Sequence, residues 1–329
     1  MTDAKKLLRS PLLRALLPLL LVLLLGAIFN REGAFFEWST HRALLREIAV
    51  LGILACGMTV VIVSAGIDLS VGSVLGLCAV LFALLSMPLG FGGTAAVACV
   101  LLTGTLCGVV SGLLVAHGRI QAFVVTLAMM VFARGLAKEI SGGKKISNYV
   151  VGGDGAQRLI EQPELFRLLD SRILDGNLAL VTVVFLLCAL ATHVVLAKLR
   201  IGRYLYAIGG NAEGARLAGV PVKRTLVFAY ALSGLFAAIA GICQAAQETH
   251  GDPETGSGYE LDAIAMVVLG GSSLMGGRGG VGLTLIGALT LGYLQKVLSL
   301  NAFSTEARLM LTGAIIIAAV LFQRQKESP

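Results

Sequence analysis

Long apolar runs alternate with short polar connections along almost the whole chain. The runs fall at 11–29, 48–64, 71–87, 94–116, 120–140, 178–199, 225–246, 262–269, 281–298 and 306–322. Most approach the about 20 residues that carry a helix across a bilayer. The pattern predicts an all-α polytopic membrane protein with about ten transmembrane helices, some of them broken, and with both termini cytoplasmic. It forms one transmembrane domain over 1–329, in which 1–47 supply a first helix and an external loop and 48–329 the core. Lys5, Lys6, Arg9 and Arg14 precede the first run as in a signal peptide. No small-residue cleavage site follows, and FNREGAFFEW comes next, so the run is read as an uncleaved spanning helix. Residues 30–47 form an external loop whose Phe35, Phe36 and Trp38 suit the membrane interface. The run at 48–64 would rise only about 25 Å, slightly short of a bilayer core.

Two places break the apolar pattern. At 64–72, SAGIDLSVG, Asp68 stands between two apolar runs. A lone acid at membrane depth costs on the order of 3 kcal/mol, so it is either satisfied or functional. Asp68 or Ser70 can cap the following helix, with the glycines allowing the turn. Asp68 can equally be a polar group beside a translocation path, and the two roles are compatible. The second break follows the very short run at 262–269, where Gly270-Gly271-Ser272-Ser273 and Gly276-Gly277-Arg278-Gly279-Gly280 interrupt the chain. Interrupted helices are tolerated in lipid only where they line a protein interior or a water-filled cavity. The breaks hold corresponding places in the two halves, which fits a duplicated core. Thr126 lies near the middle of the run at 120–140. Arg134 and Lys138 lie toward its outer end, where Arg134 can reach headgroups or pair with an acid in the core. Asp68, Ser70, Thr126, Arg134, Asp262, Ser272 and Ser273 are the candidate pathway residues. His117 is read as an interfacial polar residue.

Composition supports the membrane reading. The chain of 329 residues is 57% hydrophobic and only 14% charged, with 41 glycines. A soluble domain carries about 25% charged residues, and small residues let helices pack closely in lipid. The net charge of +7 does not point to nucleic acid, because the cations cluster in short loops beside apolar runs, where orientation explains them. All six cysteines lie within apolar runs without a CxxC, and read as buried small hydrophobes. No metal or cofactor is expected. The long polar stretch 141–177 faces outside by helix parity. In it, 163–174 can form an amphipathic helix whose apolar side is a surface for an external partner or lies on the membrane. Residues 247–260, acidic and free of Lys and Arg, are placed outside as well.

The basic loop 200–224 carries Arg200, Arg203, Arg216, Lys223 and Arg224 beside Lys198, against Glu213 alone, and so stays in the cytoplasm. Asn211 can cap a short helix over 212–218, with Glu213 in its first turn. Gly219 supplies a left-handed stop, and Pro221 prevents continuation. Ala212, Gly214, Ala215 and Ala218 keep one face shallow, suited to seating in a groove on a partner.

The run AIGGNAEGARLAGV at 207–220 resembles the coupling loop of ribose-type permease subunits of bacterial ABC sugar importers. SAGIDLSVGSVLG at 64–76, QAFVVTLAMMVFARGLA at 121–137 and ELDAIAMVVLGGSSLMGGRGG at 260–280 resemble further motifs of that family. Gln121 stands where the family usually has proline, so the start of that helix should be less kinked. The resemblance implies a monosaccharide permease in the bacterial inner membrane. It also implies a second permease copy, cytoplasmic ABC ATPase subunits and an external sugar-binding protein. It makes Asn211, Ala212, Glu213, Ala215 and Gly219 the ATPase-coupling residues. The chain has no GxxxxGK[ST] phosphate loop, so ATP would be hydrolysed on a partner. A secondary carrier driven by an ion gradient is the alternative, and an intramembrane enzyme, lacking any HExxH or paired aspartates, is a third.

Overall fold

The computed structural model describes residues 11–151 and 157–323. The terminal cations Lys5, Lys6, Arg9, Arg324 and Lys326, and Asp154 of the 141–177 stretch, lie outside the described residues.

Thirteen α-helices are described. They are α1 (Pro11–Ile28), α2 (Trp38–Val63), α3 (Val71–Ser86), α4 (Gly93–Ala116), α5 (Ala122–Ser141), α6 (Glu164–Asp170) and α7 (Leu180–Ala197). There follow α8 (Arg200–Gly210), α9 (Ala212–Leu217), α10 (Val222–Glu248), α11 (Tyr259–Leu269), α12 (Val281–Leu300) and α13 (Thr305–Gln323). By length and apolar composition α2, α4, α7, α10 and α12 can each cross a membrane, and α1 and α3 are shorter apolar helices. The chain is a multi-pass helical membrane protein. Its only described strands are two short antiparallel pairs in the polar stretch, Tyr149–Val151 with Gln157–Leu159 and Arg172–Ile173 with Leu178–Ala179.

Helix α2 is the axis of the core. Every residue from Ile48 to Val63 is buried, as a helix apolar all round must be. It begins at Trp38, ten residues before the expected start at 48, so the boundary drawn at residue 47 falls inside it. Polar WSTHRALLRE stays helical because its charges find partners at the outer surface: Arg46 pairs with Asp170, and Lys296 reaches Glu47 at 2.9 Å. With 26 residues the helix is about 39 Å long, and the expected shortfall disappears.

Against α2 packs α10, and against α10 packs α4, with glycines at the contact. A Cβ placed on Gly108 would lie 2.1 Å from the Tyr230 carbonyl oxygen, and one on Gly104 2.6 Å from that of Gly234. The two backbones touch, which glycine alone permits. Four cysteines, at 56, 78, 188 and 243, are buried as expected, whereas Cys99 is exposed on α4 and Cys107 half-buried.

One expectation for the polar stretch 141–177 is corrected. Helix α6 ends at Asp170 rather than 174, because Arg172 and Ile173 pair as a strand with Leu178–Ala179. Its apolar side is divided: Phe166 is fully buried and stacks on Phe82 with centroids 4.6 Å apart, whereas Leu168 is 53% exposed.

The stretch 247–260 is not a surface loop throughout. A Cβ on Gly251 would meet Ala79 and Val80 of α3, one on Gly76 the Thr255 carbonyl at 2.7 Å, and one on Gly72 the Gly256 carbonyl at 2.2 Å. Residues 251–256 therefore run down α3 over about 12 Å, and Gly256 is buried. Helix α11, with 11 residues, rises about 16 Å and cannot cross a bilayer alone.

The α4–α10 contact yields a stability prediction. Gly108→Val should lower the thermal unfolding midpoint in detergent markedly, by the about 1–3 kcal/mol typical of overpacking. Gly282→Ala, where a Cβ meets nothing within 4 Å, should leave the midpoint unchanged or raise it.

Candidate functional site

The first break places Asp68 at the centre of a polar node. Helix α2 ends at Val63, the chain turns through Ala65 (φ 63°), and α3 starts at Val71. Asp68 is 1% exposed. Its Oδ1 accepts from the Ser70 backbone N–H at 3.0 Å and from the Ser70 hydroxyl at 2.6 Å, and its Oδ2 accepts from the Ser233 hydroxyl of α10 at 2.8 Å. Asp68 thus closes a turn at the entry to α3 and ties that turn to a second helix. Ser233 lies about 16 Å along α10 from its start and about 22 Å from its end, so the carboxylate sits close to the middle of the longest helix. Thr126 of α5 joins the node by donating to the Ile67 carbonyl at 3.3 Å and, more strongly, to the Ala122 carbonyl at 2.9 Å. The Tyr230 hydroxyl is buried beside it without a hydrogen-bond partner, and a Cβ on Gly66 would lie 2.5 Å from that hydroxyl.

Arg134 is not part of this node. It sits about two turns further along α5, half-buried. Its Nη1 donates to the carbonyls of Pro253 and, at 2.7 Å, Thr255. It grips the backbone of the stretch that runs down α3. Lys138, one turn on, forms an ion pair with Glu254 at 2.6 Å. Between α3, α5 and this stretch lies an open groove of about 470 Å³, lined by Ser73, Arg134, Lys138, Ser257 and Glu260 and by apolar Met130 and Val131. Asp262 and Glu260 occupy the first turn of α11, where the helix dipole favours negative charge.

Ser272 and Ser273 lie apart from both groups, in the turn between α11 and α12. The Ser273 N–H donates to the Arg278 carbonyl at 3.0 Å, and its hydroxyl accepts from the Met275 N–H at 3.2 Å. Ser273 therefore shapes the turn. The Ser272 hydroxyl is buried without a hydrogen-bond partner. Six of the seven candidates thus divide between the Asp68 node, the Arg134 groove and the α11–α12 turn, and Asp262 stands in the first turn of α11 outside the groove lining.

Sequence reasoning missed Ser233, Tyr230, Ser73 and Glu260. Ser233 and Tyr230 carried a usable signal, as isolated polar side chains one turn apart in an apolar run. Ser73 and Glu260 carried none, because only the descent of residues 251–256 brings their helices together.

On the opposite side of the molecule from α6 lies the basic loop. It contains one helix more than expected, α8, whose Gly202, Leu205 and Ile208 are buried. Asn211 ends α8 and caps α9, accepting from the Gly214 N–H at 2.9 Å. Helix α9 stops one residue earlier than expected, at Leu217. Gly219, at φ 81°, allows two closing bonds, from Val220 N–H to the Ala215 carbonyl and from Gly219 N–H to that of Arg216, both at 3.0 Å. Arg216 donates through Nε at 2.9 Å and Nη2 at 2.6 Å to Glu213, and this bonding holds the Glu213 carboxyl below the usual carboxylate range. Ala215 does not belong to an outward shallow face: it is 6% exposed and turned into the chain. The outward face carries Ala212, Glu213, Arg216 and Leu217, the last 74% exposed.

A buried polar node at an interrupted helix, an open groove at Arg134 and a capped basic loop are set among the apolar helices of a multi-pass membrane protein. The family model for the permease component of branched-chain amino acid transport systems matches residues 42–320. The ribose import permease protein of Escherichia coli K12 is 37% identical over 309 residues, covering 93% of this chain and 92% of its own length. That of Bacillus subtilis 168 is 35% identical over 318 residues, covering 95% and 92%. The xylose transport system permease protein of Escherichia coli K12 is 31% identical over 348 residues, covering 92% and 88%. No solved structure matches the chain. The chain belongs to this transport-system permease family and is a transport component.

Asp68 gives the prediction for the site. Asp68→Leu should strip three donors of their acceptor and destabilise the protein by about 2–3 kcal/mol. Asp68→Asn, which keeps an acceptor for Ser70, should remain folded. Thermal unfolding in detergent checks both, and equal midpoints for the two variants would refute the node.

Proposed function

We propose that this chain is the permease subunit of an ATP-driven importer of a monosaccharide, a pentose of the ribose or xylose kind or a hexose. The observation that carries the reading is the Arg134 groove: an open space of about 470 Å³ in which Ser73, Arg134, Lys138, Ser257 and Glu260 stand beside apolar Met130 and Val131. Its hydroxyls and charged groups can exchange hydrogen bonds with a sugar, and its size is in the range of small-molecule sites. The relatives' names, for ribose and xylose, favour this substrate class. In this reading the chain crosses the bacterial inner membrane ten times, the eighth passage being residues 251–269, with both termini in the cytoplasm.

Two permease copies form the pathway, the Arg134 grooves facing the second copy. A sugar-binding protein delivers substrate outside, and ABC ATPase subunits bind inside. Helix α9 is the docking element, with Leu217 as its apolar anchor and the Glu213–Arg216 pair beside it. Around them Lys198, Arg200, Arg203, Lys223 and Arg224 are exposed and favour an acidic rim on the partner. No ATP is bound by this chain: the ATPase closes, α9 moves, and the interrupted helices expose the groove to one side and then the other.

The test is uptake of labelled sugar into vesicles holding the permease and its ATPase, with binding protein outside and ATP inside. Leu217→Asp should abolish ATPase retention in a pull-down and lower uptake to background. Arg134→Ala should leave retention intact and reduce uptake about tenfold, the size of effect of losing an ordering contact in a pathway. Uptake by the wild type without the ATPase, driven by a proton or sodium gradient, would replace this reading with a secondary carrier.

Orientation is checked separately. A cysteine at Lys144 should react with an impermeant thiol reagent on intact cells, and one at Glu213 only after permeabilisation.

A further inference from the structure

We infer that the contact of α8 with the two interrupted segments is the transmission joint of the transporter, through which α8 passes the movement of α9 to both breaks at once. The inference rests on the permease reading above and assigns a positioning role to Tyr206 and Gly209.

The joint is made of backbone. The Gly277 N–H donates to the carbonyl of Val63, the last residue of α2, at 3.0 Å. This bond ties the turn after α11 to the turn before Asp68. Gly209 of α8 is seated directly on it: a Cβ there would lie 2.0 Å from the Val63 oxygen and 2.5 Å from the Gly277 nitrogen. A Cβ on Gly276 would lie 2.8 Å from the Gly209 carbonyl oxygen and 2.7 Å from the Ala65 Cβ. Tyr206, one turn earlier in α8, donates to the Gly279 carbonyl at 2.9 Å. A single helix therefore holds the inner turns of both interrupted segments.

The input side is equally stiff. Leu205 and Ile208 anchor α8 in the chain, and Asn211 alone separates it from α9 while serving as the end of one helix and the cap of the other. A push on α9 therefore tilts α8 rather than a flexible linker. At Gly209 no side chain is present to change rotamer and absorb the displacement, and close-packed contacts transmit strain. The movement reaches Ala65 and the Asp68 turn on one side, and the Gly276–Gly279 turn and α12 on the other.

The test uses the assembled transporter in vesicles of phosphatidylethanolamine and phosphatidylglycerol. Three variants are compared with the wild type: Gly209→Ala, Tyr206→Phe and Gly210→Ala, the last an adjacent control whose Cβ meets nothing within 4 Å. The readouts are ATPase retention, basal ATP hydrolysis, and stimulation of hydrolysis by sugar-loaded binding protein. Gly209→Ala should keep the first two and lose stimulation by about tenfold, a size typical of coupling between separate sites. Tyr206→Phe removes one hydroxyl, cannot crowd the joint, and should lose part of the stimulation; Gly210→Ala should match the wild type. A stimulated wild type with equally stimulated Gly209→Ala and Tyr206→Phe would overturn the joint alone. A wild type that binding protein does not stimulate would overturn the permease reading and the joint with it.

Discussion

A chain that interrupts its helices inside a membrane must find partners for the backbone groups it frees, and this structure depends on how that is done. Each interruption is answered from another element. The Val63 carbonyl at the end of α2 receives the Gly277 N–H. The Ile67 carbonyl receives the Thr126 hydroxyl, the Pro253 and Thr255 carbonyls receive Arg134, and the Gly279 carbonyl receives Tyr206. Asp68 plays the complementary part, accepting from the Ser70 N–H that no helix satisfies. The polar side chains that stand out from the apolar runs are thus largely fasteners for broken backbone. Such fasteners are also positioned to line a path, because breaks occur where protein or water, and not lipid, surrounds the chain.

This dual role explains what could be read from the sequence. The spans were legible because apolar length is a direct requirement of the bilayer, and the breaks at Asp68 and Gly270 were legible because Gly, Ser and Asp interrupt that length. Asn211 and Gly219 were legible because capping is a local matter: the residues that satisfy the ends of α9 lie within a few positions of it. Three features were hidden. The outer third of α2 reads as a loop, since its charges are satisfied by Asp170 and Lys296, far away in the chain. The descent of residues 251–256 along α3 reads as an external loop, since its acids and glycines look solvated until Gly72 and Gly76 are seen to leave room for it. The inward turn of Ala215 was hidden because small residues carry no sign of which face is buried.

The electrostatics divide along the same line. In the basic loop the cations are exposed and Glu213 is engaged by Arg216, so the loop presents an unbalanced positive surface to water. Within the helical body the charged side chains are few and occupied, Arg134 with carbonyls and Asp68 with hydroxyls and an N–H. Groups committed in this way can offer only weak further contacts, and a passage needs contacts weak enough to be left.

The close approach of α4 and α10 bears on what can move. Where two backbones touch through Gly104, Gly108 and Gly234, there is no layer of side chains to slide or repack, and the interface has one stable arrangement. The pair packs as one unit, and the turn between α2 and α3 is fixed to it by the Asp68 bond to Ser233 near the middle of α10. Helix α5 is held differently, through the polar contacts of Thr126, Arg134 and Lys138. The inventory of glycines thus doubles as a map of where backbones meet with no side chain between them.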